Sequence, residues 1–264
     1  MSNIQAISPS VSHTNANSSD ESLKIVRGLI ANEIIFAVVG PIGSGTSTVA
    51  NSLFSLLEGQ GYKTAIVKAS EIIKAWAIEN KLIVDEKDAA SLTSSLQDIG
   101  DKMRESDPAR IAMYFATYIR DLRAKNLGKD SSDSQAVEPD GQKRAYIIDS
   151  LRNPAEVALL RHVYQESFCL IGVIASENTR KNRLTKKYSS VGSDKIRELM
   201  ERDEKAESKH GQQVSDTFHL ADFFIDNDTE RLLDNKKPNP EWVVSEDLGR
   251  LVDTLKREKI SLDR

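Results

Sequence analysis

One cysteine stands in the 264 residues, Cys169, so no intramolecular disulfide can form. A chain that does without disulfides is expected in a reducing compartment, and the cytoplasm is the simplest assignment. Cys169 lies in the run Phe168–Cys169–Leu170–Ile171–Gly172–Val173–Ile174, among apolar rather than cationic neighbours. It is therefore expected to be a core residue and not a reactive thiol. No apolar run reaches the length of a membrane span, and no basic segment followed by an apolar one opens the chain, so neither an anchor nor a signal peptide is expected. There is no excess of positive charge: the formal net charge is −4, which leaves no overall basic footprint for nucleic acid. The four histidines, His13, His162, His210 and His219, begin no H-x-E, and P-C-x-x-C, H-E-x-x-H and G-x-S-x-G are all missing. Zinc deaminase, zinc protease and serine hydrolase centres are thereby excluded from these residues. No internal repeat is visible.

What is present is an ordinary globular balance, 39% hydrophobic and 29% charged, in which strand-like and helix-like segments alternate. Residues 1–21 are rich in Ser, Asn and Thr and are expected to form a flexible tail. A short helix is expected from Ser22 to Ala31. Strands are expected at Ile34–Val39, Thr64–Val67, Ala145–Asp149, Phe168–Ala175 and Phe223–Asp226. Helices are expected at Ser47–Glu58, Glu71–Ile78, Ala89–Glu105, Pro154–Glu166, Glu177–Lys187 and Asp194–Lys209. A further helix follows Pro108, which suits a first helical turn, and carries Ile111, Tyr114, Phe115, Tyr118, Ile119 and Leu122 as core residues. Leu248, Leu251, Val252 and Leu255 place an amphipathic helix in the C-terminal segment 240–264. The polar stretch 128–144 reads as a mobile, exposed loop. The expected fold is α/β, with a mostly parallel sheet covered by helices on both faces over residues 22–264. In such a sheet a ligand belongs at the carboxyl ends of the strands, where Gly40, Lys68, Asp149, Ala175 and Asp226 fall.

The segment Gly40–Pro41–Ile42–Gly43–Ser44–Gly45–Thr46–Ser47–Thr48 lies between a strand and a helix. It satisfies G-x-x-x-x-G-K-[ST] everywhere except at the lysine, which is replaced by Thr46. Glycines at 40, 43 and 45 allow backbone N–H groups to converge on phosphate oxygens at a helix N-terminus. Ser47 is placed to ligand Mg²⁺ through its hydroxyl, and Asp149, closing an apolar strand, has the form of a second Mg²⁺ contact. Arg152 follows that strand and suits bidentate phosphate contact, or else is a surface arginine. Arg180, Arg183 and Lys187 share a helix and are candidates for a basic lid, or else a solvated basic helix end. Lys68 is a candidate for the missing cation, although a solvated strand-end lysine is the plainer alternative. Loss of a contact such as the P-loop lysine lowers transfer rates on the order of a hundred- to a thousand-fold, and binding through backbone amides suffers less.

These features resemble nucleoside monophosphate kinases and dephospho-CoA kinase. The stretches VVGPIGSGTS (38–47), IIDSLRNPAEV (147–157), RKNRL (180–184) and HGQQVSDTFHLADFFIDN (210–227) more closely resemble the N-terminal P-loop kinase-like domain of the antiphage dCTP/dCMP deaminases. That resemblance implies a P-loop NTPase or kinase-like fold and a nucleoside triphosphate ligand with Mg²⁺. It further implies a regulatory role toward a C-terminal zinc deaminase domain that depletes deoxycytidine nucleotides during infection. A non-lysine residue at the position of Thr46 is tolerated in that family. Homo-oligomerisation and an inhibitory RNA or protein regulator are further expectations. The sequence ends at Leu262–Asp263–Arg264, where the family's second domain would begin, so zinc and deamination are expected outside these residues. A piece of a longer protein and a free-standing relative are both compatible with this. The alternatives are a stand-alone nucleotide or small-metabolite kinase with a deviant loop, and a scaffold whose loop is vestigial.

Overall fold

The computed structural model describes residues 32–129, 137, 139, 141–204, 212–233 and 235–262. The expected tail, the helix Ser22–Ala31, most of the stretch 130–140, the end of the charged helix at 205–209, and His210 and Gly211 lie outside the described residues. In chain order the elements are β1 (Glu33–Val39), α1 (Thr46–Gly59), β2 (Lys63–Lys68), α2 (Ala69–Glu79), α3 (Ala89–Ser106), α4 (Arg110–Asn126) and β3 (Arg144–Asp149). Then follow α5 (Pro154–Tyr164), β4 (Phe168–Ile174), α6 (Glu177–Lys187), α7 (Ser193–Glu204), α8 (Val214–Phe218), β5 (Phe223–Asp226) and α9 (Val244–Leu262).

β1 reads EIIFAVV and every one of its residues is buried. Such a strand has no polar face to give to water, so it must be central with helices on both sides. The sheet bears this out: five parallel strands in the order β2-β3-β1-β4-β5. Successive side chains alternate between faces. Ile35, Ala37 and Val39 pack with Ile73, Phe115, Ile119 and Leu160 on one side. Ile34, Phe36 and Val38 pack with Val49, Leu53, Leu57, Leu248 and Val252 on the other. A third cluster joins Ile42 to Leu184, Tyr188, Ile196, Leu199 and Met200, which seats α6 and α7 against the loop after β1.

The strands begin or end within a residue or two of their sequence-derived positions, as do most helices. Three differences stand out. Pro108 lies ahead of α4 rather than in its first turn, because Asp107 accepts from Ala109 N–H and from Arg110 N–H and ends the turn there. Tyr118 is 45% exposed instead of core, since the inward stripe of α4 is carried by Ile111, Phe115 and Ile119. Within the stretch expected to be exposed, Val137 is buried and its carbonyl accepts from Arg123 Nη1 at 2.6 Å. Arg123 is itself held by buried Glu33 at the start of β1, which ties this stretch to the sheet.

Register sets the geometry of the carboxyl end. Asp149 is level with Val38 on β1 and with Lys68 on β2. The chain leaving β3 then folds over β1, with Leu151 N–H donating to Val38 O at 3.0 Å. That turn carries residues 150–153 beside the loop that follows β1.

Candidate functional site

The loop Gly40–Gly45 is a tight strand-to-helix turn. Ser44 N–H closes on Pro41 O at 2.9 Å, and Gly45, at φ 91°, is the N-cap of α1. Its carbonyl accepts from Thr48 and Val49, yet no side chain caps the helix. The first-turn N–H groups and the positive end of a 14-residue helix therefore face the loop without a side-chain acceptor. Glycine is dictated by contact as well as by dihedral. A Cβ on Gly45 would lie 2.3 Å from Asn227 Nδ2, and one on Gly43, at φ 86°, 2.9 Å from the Arg180 carbonyl oxygen. Asn227, just past β5, braces the loop: its Nδ2 donates to Ser44 O at 2.7 Å while its Oδ1 accepts from Trp242 Nε1 at 3.0 Å.

Ser47 Oγ donates to Asp149 Oδ2 at 2.6 Å. The two residues come from different elements, 102 positions apart, and meet because β3 lies beside β1. A hydroxyl and a carboxylate so close, beside an uncapped helix end, are oxygen donors of the kind Mg²⁺ prefers. Among the described residues no group of three or more His, Cys, Asp and Glu is placed to hold a metal. Arg152 follows Asp149 across the turn and pairs with Asp203 of α7. Burial pushes the Arg152 guanidinium down to about 10, partly opposed by the nearby Asp149 charge. The second carboxylate oxygen of Asp203 accepts from Ile42 N–H at 2.6 Å. One buried carboxylate thus grips both the loop backbone and the arginine.

Glu156, fully buried at the start of α5, orders the turn. Its Oε2 accepts from the backbone N–H groups of Arg152 and Asn153, at 2.9 and 3.2 Å. Its Oε1 pairs with Arg104 of α3 at 2.9 Å. Asn153 caps the helix by accepting from Ala155 N–H at 2.9 Å. The motif Asn153-Pro154-x-Glu156 is therefore a capping pair that also positions Arg104.

A cleft of about 460 Å³ opens on the loop. Of the sequence-derived candidates, Pro41, Ile42, Gly43, Gly45, Thr46, Ser47, Thr48, Asp149, Arg152, Arg183 and Lys187 line it. Gly40 and Ser44 are buried within the loop and do not line the cleft. Arg183 reaches Ser44 O at 3.4 Å and Thr229 O at 3.3 Å, with Glu230 on its Nε at 3.2 Å. Lys187 holds its ammonium 5.1 Å from the centre of the Tyr188 ring. Two further candidates are not brought to the cleft. Lys68 is exposed at the end of the edge strand β2, with β3 between it and β1. Arg180 is buried and packs its backbone on Gly43, so it supports the loop instead of facing the cleft.

The cleft also holds residues that sequence reasoning missed: Thr93, Gln97 and Arg104 of α3, Asp203, and Gln212. Asp203 was one charge among many on the helix expected from Asp194 to Lys209. α3 looked merely amphipathic. The only signal was two polar residues, Gln97 and Arg104, on its apolar stripe, where both prove to be buried.

No protein-family model and no curated protein matches the chain. Among solved structures it is similar to APE1195, at 16% identity over 87% of this chain and 98% of the other, with a TM-score of 0.43. It is also similar to a gluconokinase from Sinorhizobium meliloti 1021, at 14% identity over 86% and 97%, TM-score 0.38. A third is a shikimate kinase from Acinetobacter baumannii in complex with shikimate, at 11% identity over 89% and 98%, TM-score 0.36. The architecture of this chain, a glycine loop between the central strand of a parallel sheet and the helix that follows, is that of a P-loop kinase-like α/β fold. Among the described residues no helix is long and apolar enough to cross a membrane.

Proposed function

We propose that the cleft binds the polyphosphate of a nucleoside triphosphate with Mg²⁺, and that the chain senses this ligand without transferring its phosphate. The observation that carries the reading is the Ser47–Asp149 hydrogen bond of 2.6 Å beside an uncapped helix N-terminus. Backbone amides of the loop and the helix end would hold the phosphates, and Ser47 and Asp149 would hold the metal. When bound, Mg²⁺ neutralises phosphate charge. Thr46 lines the cleft where a lysine would reach the phosphates, and it is neutral and short. That substitution spares the amides and removes the group that stabilises charge in transfer.

The stretches 38–47, 147–157, 180–184 and 210–227 support a finer reading as the nucleotide-sensing, regulatory domain of an antiphage deoxycytidine nucleotide deaminase. In that reading zinc and deamination belong to a partner domain, and the nucleotide controls it. A nucleotide or small-metabolite kinase with a deviant loop is favoured by one observation. The cleft continues past the loop to Gln97, Arg104 and Gln212, leaving room for a phosphate acceptor.

Calorimetry with ATP, GTP, dCTP and dTTP in the presence of Mg²⁺ is expected to show binding of at least one of them; no heat with any sinks the proposal. Incubation with γ-labelled ATP and a panel of deoxynucleoside monophosphates is expected to give no labelled diphosphate, and a labelled product would establish the kinase reading instead.

A further inference from the structure

The glycine loop is also held by residues that do not line the cleft, Asn227 and, behind it, Trp242. Asn227 Nδ2 donates to Ser44 O at 2.7 Å, and Arg183 Nη1 reaches the same carbonyl at 3.4 Å. The Ser44–Gly45 peptide is trans, so its N–H points opposite to its C=O. A carbonyl held toward Asn227 therefore turns the Gly45 N–H away from it. Among the described residues that N–H meets no acceptor, and Gly45 lines the cleft.

The two ends of the Asn227 carboxamide are nearly alike in shape, so its partners must decide which way round it sits. The main chain does not decide it, because the Asn227 N–H is engaged with Ile174 O at 2.9 Å. Trp242 does. An indole N–H can only donate, and Trp242 Nε1 donates to Asn227 Oδ1 at 3.0 Å. With the oxygen facing the indole, the nitrogen is left for Ser44 O. The reverse orientation would set two carbonyl oxygens against each other at a residue that is only 3% exposed. Trp242 is itself fixed. Its ring packs on the core cluster of Leu53, Leu57 and Leu248, the Arg231 guanidinium lies 5.4 Å from its centre, and its main-chain N–H donates to Asn239 O at 3.1 Å.

We propose that Trp242 is a positioning residue for the loop: by fixing the orientation of the Asn227 carboxamide it holds the Ser44 carbonyl back and presents the Gly45 N–H to an anion in the cleft. This rests on the reading of the loop as a phosphate site. Trp242 touches no ligand in this role and acts only through Asn227.

The test uses the 264-residue chain and calorimetric titration with inorganic tripolyphosphate and Mg²⁺. Trp242→Phe, which keeps an aromatic ring and removes the donor, is expected to weaken binding about fivefold or more, the loss of one oriented hydrogen bond. Trp242→His is expected to restore most of the affinity, because the imidazole can place Nε2–H where the indole places Nε1–H. Asn227→Ala is expected to weaken binding as much as Trp242→Phe, and the double variant no further, since the two residues act in series. In the unmodified protein the indole N–H resonance of Trp242, told apart from that of Trp76 by a Trp76→Phe variant, is expected to shift on titration although Trp242 does not line the cleft. Unchanged affinity in Trp242→Phe overturns the proposal. A histidine variant as weak as the phenylalanine one overturns it too, by reducing Trp242 to packing, and so do additive losses in the double variant or an indole signal that ignores the ligand. Binding of tripolyphosphate that is indifferent to Trp242 sinks this inference and leaves the phosphate loop standing. No binding by the unmodified chain sinks the loop reading and this inference with it.

Discussion

At the scale of single residues, Thr46 carries most of the functional weight. In the proposed reading it sits where a cation would meet the phosphates, and Lys68, the lysine the sequence offered in its place, is exposed at the sheet edge. Thr46→Lys is expected to tighten binding of MgATP about tenfold or more, because a charge-assisted hydrogen bond replaces none. Calorimetry on the two proteins checks this, and equal affinities would show that the phosphates lie elsewhere. Cys169 makes the opposite case, a residue with reactive chemistry that the fold silences. Burial pushes its thiol from 9.0 up to about 12. Below pH 9 the thiol is protonated in both folded and unfolded chains, so it has no effect on stability there. Between 9 and 12 the unfolded chain releases the proton and the folded chain keeps it, so this group's contribution makes stability fall as pH rises. Ellman's reagent is therefore expected to leave the native protein unlabelled at pH 8 and to label one thiol in urea.

At the scale of elements, the loop is held from three directions. α1 takes its carbonyl at Gly45, Asn227 braces Ser44 from the end of β5, and α7 reaches over to Ile42 N–H through Asp203. On the proposed phosphate reading, the last of these contacts would set a carboxylate in competition with phosphate for the loop amide and the Arg152 guanidinium. Asp203→Asn is expected to act in two directions. Stability should drop by about 3 kcal/mol, as for a broken buried ion pair. Affinity for MgATP should rise several-fold, because a like charge is removed from the cleft. Urea unfolding and calorimetry on the same preparation read the two effects, and a loss of both would assign Asp203 to the binding apparatus itself.

At the scale of the whole molecule, Glu156 links parts that the sequence keeps far apart. Its two oxygens join α3, through Arg104, to the turn after β3 and the start of α5. Glu156→Gln leaves Arg104, 2% exposed, with Asp101 as its one charged partner among the described residues. The expected cost is about 3 kcal/mol, read as a lower urea midpoint at unchanged slope. The loop geometry also depends on this node, so MgATP binding is expected to weaken in the same variant.

The strands and most helices were legible in the sequence because they rest on local physics. β1 is apolar from Ile34 to Val39, so it could only be central. Gly40, Gly43 and Gly45 between it and a helical pattern announced the loop. Asp149 at the end of an apolar run marked the carboxyl edge of the sheet. What only the tertiary structure decided was which distant groups meet. Ser47 and Asp149 touch because β3 settles beside β1, whereas Lys68, one strand further out, is left in solvent. Arg180 and Arg183 looked like a matched pair on one helix, yet the packing of α6 against Gly43 buries the first and frees the second to reach the loop. Gln97 lay on an apolar stripe and Gln212 within the stretch 210–227, yet nothing in the sequence joined them to each other or to Asp203. A hydrogen bond across more than a hundred residues has no periodicity, and only the way α3 and α7 close on the sheet gathers these side chains around one cleft.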